Sequence, residues 1–277
     1  MQQTLLSHWE GALLGSCLPK IGSVSQETQV KSLYERQNQS IQALTETGQW
    51  QRRPSWQGHT TSEIILSCLP LILFFNDQPE TWGEQLSAIA QQENESSLAT
   101  AAILAYATAI TWGTHEKLRG NTLFKKLRKN LDEDSSCNVL VTLQNSLEQE
   151  ATLQETKLKL PLTCQDIWLA LYCFATTSEN LALSVRRVKA SEGSNSIILA
   201  LVGALSGVHG GVNAIPVSWR CLLQKERTEW KQKLRLMWAT WSGNYHFPGR
   251  ANFDEHLDVN AMAIAPCGVI QPRRQKP

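Results

Sequence analysis

Two short polar stretches stand directly ahead of apolar helical runs and hold the residue types that could do chemistry: His59-Thr60-Thr61-Ser62-Glu63 and Ser191-Glu192-Gly193-Ser194-Asn195-Ser196. Glu63 and His59 are the pair from which a general acid or base could be drawn, with no convergent third group identifiable. The hydroxyls and amide of Thr60, Thr61, Ser194, Asn195 and Ser196 suit helix N-caps, where a side-chain oxygen takes up a first-turn N–H, and capping is the favoured reading of most of them. The six histidines, at 8, 59, 115, 209, 246 and 256, form no His-x-x-x-His pair, so no zinc site is indicated. Gly-x-Ser-x-Gly, Walker and Gly-x-Gly-x-x-Gly motifs are missing, which removes serine-hydrolase, P-loop and Rossmann readings.

The elements that must position these residues are helices. Helical spacing dominates and no sustained period-two alternation occurs, so the fold class is all-α. Helices are expected at Thr4–Leu18, Val30–Thr47, Thr61–Phe74, Thr81–Gln91, Ser97–Gly113, Thr122–Leu131, Cys137–Gln154, Cys164–Thr176, Asn180–Ala190, Ser196–Val208, Ser218–Gln224 and Glu226–Trp241. Gly11–Gly15 and Gly203–Gly207 each form Gly-x-x-x-Gly, small residues one turn apart that let two helices pack closely, and each is a candidate partner of the other. At 277 residues and 42% hydrophobic content, the chain suits one compact unit over 1–225, with a C-terminal helix and irregular tail (226–277) packed on it or extending from it.

A net charge of +1 supplies no global field for nucleic acid or an anionic membrane. The basic residues Lys117, Arg119, Lys125, Lys126, Arg128 and Lys129 precede Asp132-Glu133-Asp134 and read as a solvated face. The longest apolar run, Ile64 to Phe75, has 12 residues and contains Pro70, short of a membrane span. Seven scattered cysteines without a Cys-x-x-Cys pair, and an N-terminal stretch unlike a secretory signal, lead to the expectation of a reduced, cytoplasmic protein. On the last helix Trp230, Leu234, Met237, Trp238 and Trp241 make one apolar stripe, either core or, if exposed, a protein-binding face.

Gly11-Ala12-Leu13-Leu14-Gly15, His59-Thr60-Thr61-Ser62-Glu63-Ile64, Ser194-Asn195-Ser196-Ile197, Gly203-Ala204-Leu205-Ser206-Gly207, Ala214-Ile215-Pro216 and Trp219 come in the order of the motifs of the ADP-ribosylglycohydrolase (DraG-like) family. The chain resembles that family from about Trp9 to Leu223. The resemblance implies a compact multi-helix orthogonal bundle and, in the enzymes of the family, hydrolysis at a Mg²⁺ or Mn²⁺ pair held by aspartates. Here Pro19-Lys20 stand where a Gly-Asp is found, Thr60 and Thr61 replace the two aspartates of the second motif, and Ser194 and Ser196 replace those of the third. Phe75 to Trp82 is too short for the family's Asn-Gly-x-x-Met-Arg segment, and Ala90-Gln91 fall where a Thr-His is found. Mg²⁺ is a hard cation held through carboxylates in an octahedral oxygen shell, and neutral hydroxyls with an amide cannot balance two such ions.

Lys20, if turned inward, would repel metal further and fill vacated space. The expectation is therefore a protein without metal cofactor, retained for binding or scaffolding. A metal-independent glycohydrolase using Glu63 or Asp77, with His59 and His209 near the old pocket, is the enzymatic rival. A nucleotide or ADP-ribose sensor is the third reading. The partners implied are a protein on the tryptophan stripe or a nucleotide-type ligand, with neither nucleic acid nor membrane.

Overall fold

Gly11 and Gly15 on the first helix meet Gly207 and Gly203 on the twelfth, and the rest of the chain is arranged about this crossing. The computed structural model describes residues 4–21, 27–50, 56, 59–93, 95–115, 118–130, 134–178, 180–191 and 196–243. Over these residues the chain is all-α: α1 (Leu5–Ser16), α2 (Glu27–Thr47), α3 (Thr61–Ser67), α4 (Leu69–Phe74), α5 (Pro79–Gln92), α6 (Ser97–Thr114), α7 (Leu123–Asn130), α8 (Asp134–Glu148), α9 (Leu153–Lys159), α10 (Gln165–Thr177), α11 (Leu181–Ala190), α12 (Ser196–Gly210), α13 (Val217–Leu222) and α14 (Gln224–Trp241). Among the described helices none is long and apolar enough to cross a membrane.

Every side chain of α12 from Ser196 to Val208 is buried, as its all-round apolar sequence requires. It lies against α1 on one side and α6, α10 and α11 on the others. On α1 and α12 the glycines bring backbone onto backbone: a Cβ added to Gly15 would run into the carbonyl of Gly203, and one added to Gly11 into that of Gly207. The two Gly-x-x-x-Gly motifs are thus each other's partners. The chain leaves α12 through Gly211 at φ 61° and ψ −171°, a backbone conformation open to glycine and strained for other residues.

Three departures from the sequence expectations have local causes. The helix expected over Thr61–Phe74 is broken at Cys68 into α3 and α4, because Pro70 has no N–H to donate and its ring crowds the carbonyl one turn back. The helix expected over Cys137–Gln154 stops at Glu148, with Glu150 at φ 51° in the following turn. A new helix, α9, then starts from a reciprocal capping box in which Thr152 and Glu155 each satisfy the other's backbone N–H. Residues 157–159, outside every helix expected from the sequence, are its last turn.

The tryptophan stripe of α14 is core. Trp230, Leu234 and Met237 are wholly buried and Trp238 nearly so, against α1 and α2, while Trp241 is half-buried with its ring edge-on to Trp9. Of the two readings of the stripe, core or, if exposed, a protein-binding face, burial meets the first for Trp230, Leu234, Met237 and Trp238. One hydrophobic cluster runs from Trp9 to Trp238, so α14 shares the core of the helices before it. On α7, Leu123, Phe124 and Leu127 are buried while Lys125, Lys126, Arg128 and Lys129 are exposed, with Lys125 paired to Glu148 and Lys126 over the Trp112 ring, the solvated face expected. None of the six described cysteines is in a disulfide.

Candidate functional site

The start of α3 is a capping box. Thr60 Oγ1 accepts from the Glu63 N–H at 3.3 Å and Glu63 Oε2 accepts from the Thr60 N–H at 2.9 Å, so the threonine and the acid are used together to close the helix end. Glu63 is buried, and His59 Nδ1 lies 3.7 Å from the same carboxylate oxygen. Thr61 turns to another segment: its hydroxyl donates to Glu95 Oε1 at 2.6 Å, on the connection between α5 and α6. It also hydrogen-bonds the thiol of Cys164, which burial pushes up to about 11 against the lowering effect of that bond. A thiol so raised is a poor nucleophile near neutral pH.

His59, Glu63 and Ser67 recur at i, i+4 and i+8, and a side chain the sequence did not single out reaches along them. Arg36 of α2, buried, donates from Nε to Ser67 Oγ at 3.0 Å, and its Nη1 stands 3.4–3.5 Å from the His59 ring nitrogens. A guanidinium therefore lies on the α2-facing side of the second motif, with Glu63 as the acid one residue away from it. Nothing in the local pattern of α2 distinguishes Arg36 from a solvated helix arginine.

Lys20, in a 3-10 turn (Leu18–Ile21), sends its ammonium to Glu226 of α14 at 2.8 Å, and also lies 4.7 Å from the centre of the Tyr34 ring. Its role is an ion pair that ties the end of the first motif to the last helix. Burial pushes the Glu226 carboxyl up, but the hydrogen bond from Lys20, a backbone hydrogen bond and the charges of Lys20 and Lys225 together hold the group below the usual glutamate range. A lowered folded-state value means the native protein binds fewer protons than the unfolded chain, so this contribution is present above the ordinary glutamate value and is lost as pH falls through the folded one. Melting temperatures measured from about pH 6 to 3 should fall less steeply for Glu226→Gln than for the wild type; identical acid limbs would show that the pair contributes nothing.

The remaining candidates are scattered. Asp77 follows α4 and accepts from Trp241 Nε1 at 3.4 Å, at the opposite end of the α3–α4 segment from Glu63. His209 is in the last turn of α12, edge-on to Phe174, and helix geometry puts it about 20 Å from Ser196. That separation takes His209 away from the start of α12, where the third motif lies. Ser196 is the first residue of α12 and is buried, with no hydrogen-bond partner for its hydroxyl among the described residues. Ser194 and Asn195 lie outside the described residues.

Thr60, Thr61 and Ser196 present neutral hydroxyls, two of them already engaged, and among the described residues no three His, Cys, Asp or Glu side chains converge. This donor set does not fit a pair of Mg²⁺ or Mn²⁺ ions, whose oxygen shells draw on carboxylates.

A search of curated proteins returned no match to the chain. The family model described as ADP-ribosylglycohydrolase matches residues 1–244, a span that takes in every residue the structure describes. With the all-α architecture, the seam of four glycines and the ordered motifs already in view, the chain belongs to the ADP-ribosylglycohydrolase family.

Proposed function

We propose that this chain is a member of its family that does not hydrolyse through a metal pair and is retained for binding or scaffolding. The observation that carries the reading is the employment of the residues at the family's aspartate positions: Thr60 closes α3 with Glu63, and Thr61 is bonded to Glu95. Hydroxyls committed to the fold's own bonds supply neither the charge nor the free lone pairs that a divalent pair needs. Glu63 and Asp77, the acids open to a metal-independent glycohydrolase, are held in a cap and on Trp241 respectively, at opposite ends of one segment. Acid–base cleavage of a glycosidic bond uses two carboxyl groups flanking that bond, and this placement speaks against it.

Calorimetric titration of the full chain with Mn²⁺ and with Mg²⁺, paired with an assay for release of ADP-ribose from ADP-ribosyl-arginine, tests the reading. We expect no saturable heat and no release above the uncatalysed rate. Saturable metal binding accompanied by hydrolysis would overturn it. Hydrolysis without metal, abolished in Glu63→Gln, would move the protein to the enzymatic reading.

A further inference from the structure

We propose that the corner between α9 and α10 is a docking surface for an acidic partner protein, with Leu158 and Leu162 as its apolar anchors. These are the two most exposed of the large apolar side chains among the described residues, at 83% and 89%. They stand in sequence on either side of Leu160, which is buried and holds the corner to the core. Covering one leucine side chain is worth about tenfold or more in an equilibrium, so two left in water at one corner are an unused source of affinity.

The corner is held in shape by the chain's own bonds. Ahead of α9, Tyr172 donates its hydroxyl to the Ala151 carbonyl at 2.6 Å, and α9 itself starts from the Thr152–Glu155 capping box. At the far end Gln165 Nε2 donates to the Lys157 carbonyl at 2.9 Å, so a side chain of α10 closes the last turn of α9. Anchors already fixed in place lose little freedom on binding, which leaves more of their burial as affinity.

Charge selects the occupant. From Thr156 to Gln165 the charged side chains are Lys157 and Lys159, both exposed, and at about 100° per residue they flank Leu158 around the helix. The acid of α9, Glu155, is turned back to the Thr152 N–H at 2.8 Å. A second copy of the chain docked through the same corner would set lysine against lysine, because a two-fold interface pairs a patch with itself. Two leucine side chains carry fewer carbons than one myristoyl chain, which alone holds a protein to a membrane only marginally. An apolar cleft rimmed by Asp and Glu on another protein meets both the leucines and the lysines. The corner runs straight into Cys164, whose thiol is bonded to Thr61 at the start of α3, so such a partner would sit beside the second motif. The proposal gives the binding or scaffolding reading its partner class and rests on that reading.

The probe is a displayed library of random peptides selected on the immobilised full chain. The most enriched peptide is then synthesised and titrated by fluorescence anisotropy against wild type, Leu158→Ser/Leu162→Ser and Lys157→Glu/Lys159→Glu. We expect enriched sequences that combine Asp or Glu with aliphatic or aromatic residues. The leucine variant should weaken binding about a hundredfold and the charge reversal about tenfold, and wild-type affinity should fall as salt rises. Both variants should melt within about 2 °C of the wild type, as exposed substitutions do; a large fall in the leucine variant would show that these side chains serve packing and would overturn the proposal. No enrichment beyond that on the leucine variant, or a peptide that binds all three proteins equally, would overturn it as well. So would a concentration-dependent dimer in sedimentation, or co-sedimentation with vesicles of phosphatidylcholine and phosphatidylserine, that the leucine variant abolishes: the occupant would then be a second copy or a lipid surface. The Mn²⁺ titration and hydrolysis assay above separate the two failures. Metal-dependent hydrolysis overturns the functional reading, whereas silence in both of those assays with no selected peptide overturns the docking surface alone.

Discussion

Alanine at Gly15 or at Gly203 is expected to destabilise the protein by about 3 kcal/mol or more, at the upper end of what overpacking costs. Taken alone, Gly→Ala in a helix interior gains about 0.5–1 kcal/mol from backbone entropy, so the clash must outweigh that gain before any loss is seen. It does so here because the obstacle is backbone: a Cβ on Gly15 meets the Gly203 carbonyl, and a Cβ on Gly203 meets the Gly15 carbonyl, neither of which can rotate away as a side chain can. Relief requires α1 and α12 to separate, and α12 is held by α6, α10 and α11 on its other sides. Gly83 of α5 is the internal control, since a Cβ there meets nothing within 4 Å. Gly83→Ala should raise the melting temperature slightly, while Gly15→Ala lowers it by roughly 6–12 °C, the shift that about 3 kcal/mol produces in a chain of this size. The double variant Gly15→Ala/Gly203→Ala should cost less than the sum of the singles, because helices already forced apart have room for the second methyl. A Gly15→Ala protein as stable as the wild type would show that the two helices do not cross this closely.

That seam was legible because its cause is local: two small residues one turn apart on each of two apolar helices leave few other ways to pack. The all-α class was legible for a similar reason, the helical period persisting through nearly every segment. Two element boundaries carried a local signal that periodicity overrode. Pro70 stands in plain view inside the apolar run whose period predicts one helix, and Thr152 with Glu155 three residues later spells a capping box. The candidate site divides along the same line. The Thr60–Glu63 cap is written in four consecutive residues and was readable as a cap. The partners of Lys20, Thr61 and His59 are Glu226, Glu95 and Arg36, residues far away in sequence whose meeting depends on how whole helices are stacked. Charge type and periodicity say that Arg36 or Glu226 lies on a helix, but not which ion it will face. The stripe on α14 was ambiguous for a related reason: an apolar helix face looks the same in sequence whether its complement is α2 of the same chain or another protein.

That ambiguity gives the second large effect. Trp230→Ala should cost about 3–5 kcal/mol, the range for removing a large aromatic side chain from a packed interior. Trp230 is wholly buried, its ring centre lies 4.9 Å from that of Tyr34, and its Nε1 donates to Asn38 Oδ1 at 3.1 Å. Truncation would open a cavity between α2 and α14 and withdraw one of the two donors to Asn38, leaving only Lys233 Nζ at 2.9 Å. Trp230→Phe separates the two losses: it keeps most of the ring volume, drops the N–H, and should cost about 1 kcal/mol plus a modest packing term. Trp241→Ala, at the half-buried end of the same stripe, should cost clearly less than Trp230→Ala. Urea denaturation followed by far-UV circular dichroism measures all three without depending on which of the chain's ten tryptophans is emitting. If the stripe instead served a partner, Trp230→Ala would leave the isolated chain as stable as the wild type, and the order of the three variants would follow exposure in reverse. An effect graded with burial, largest at Trp230 and smallest at Trp241, makes α14 a part of the family domain's own core.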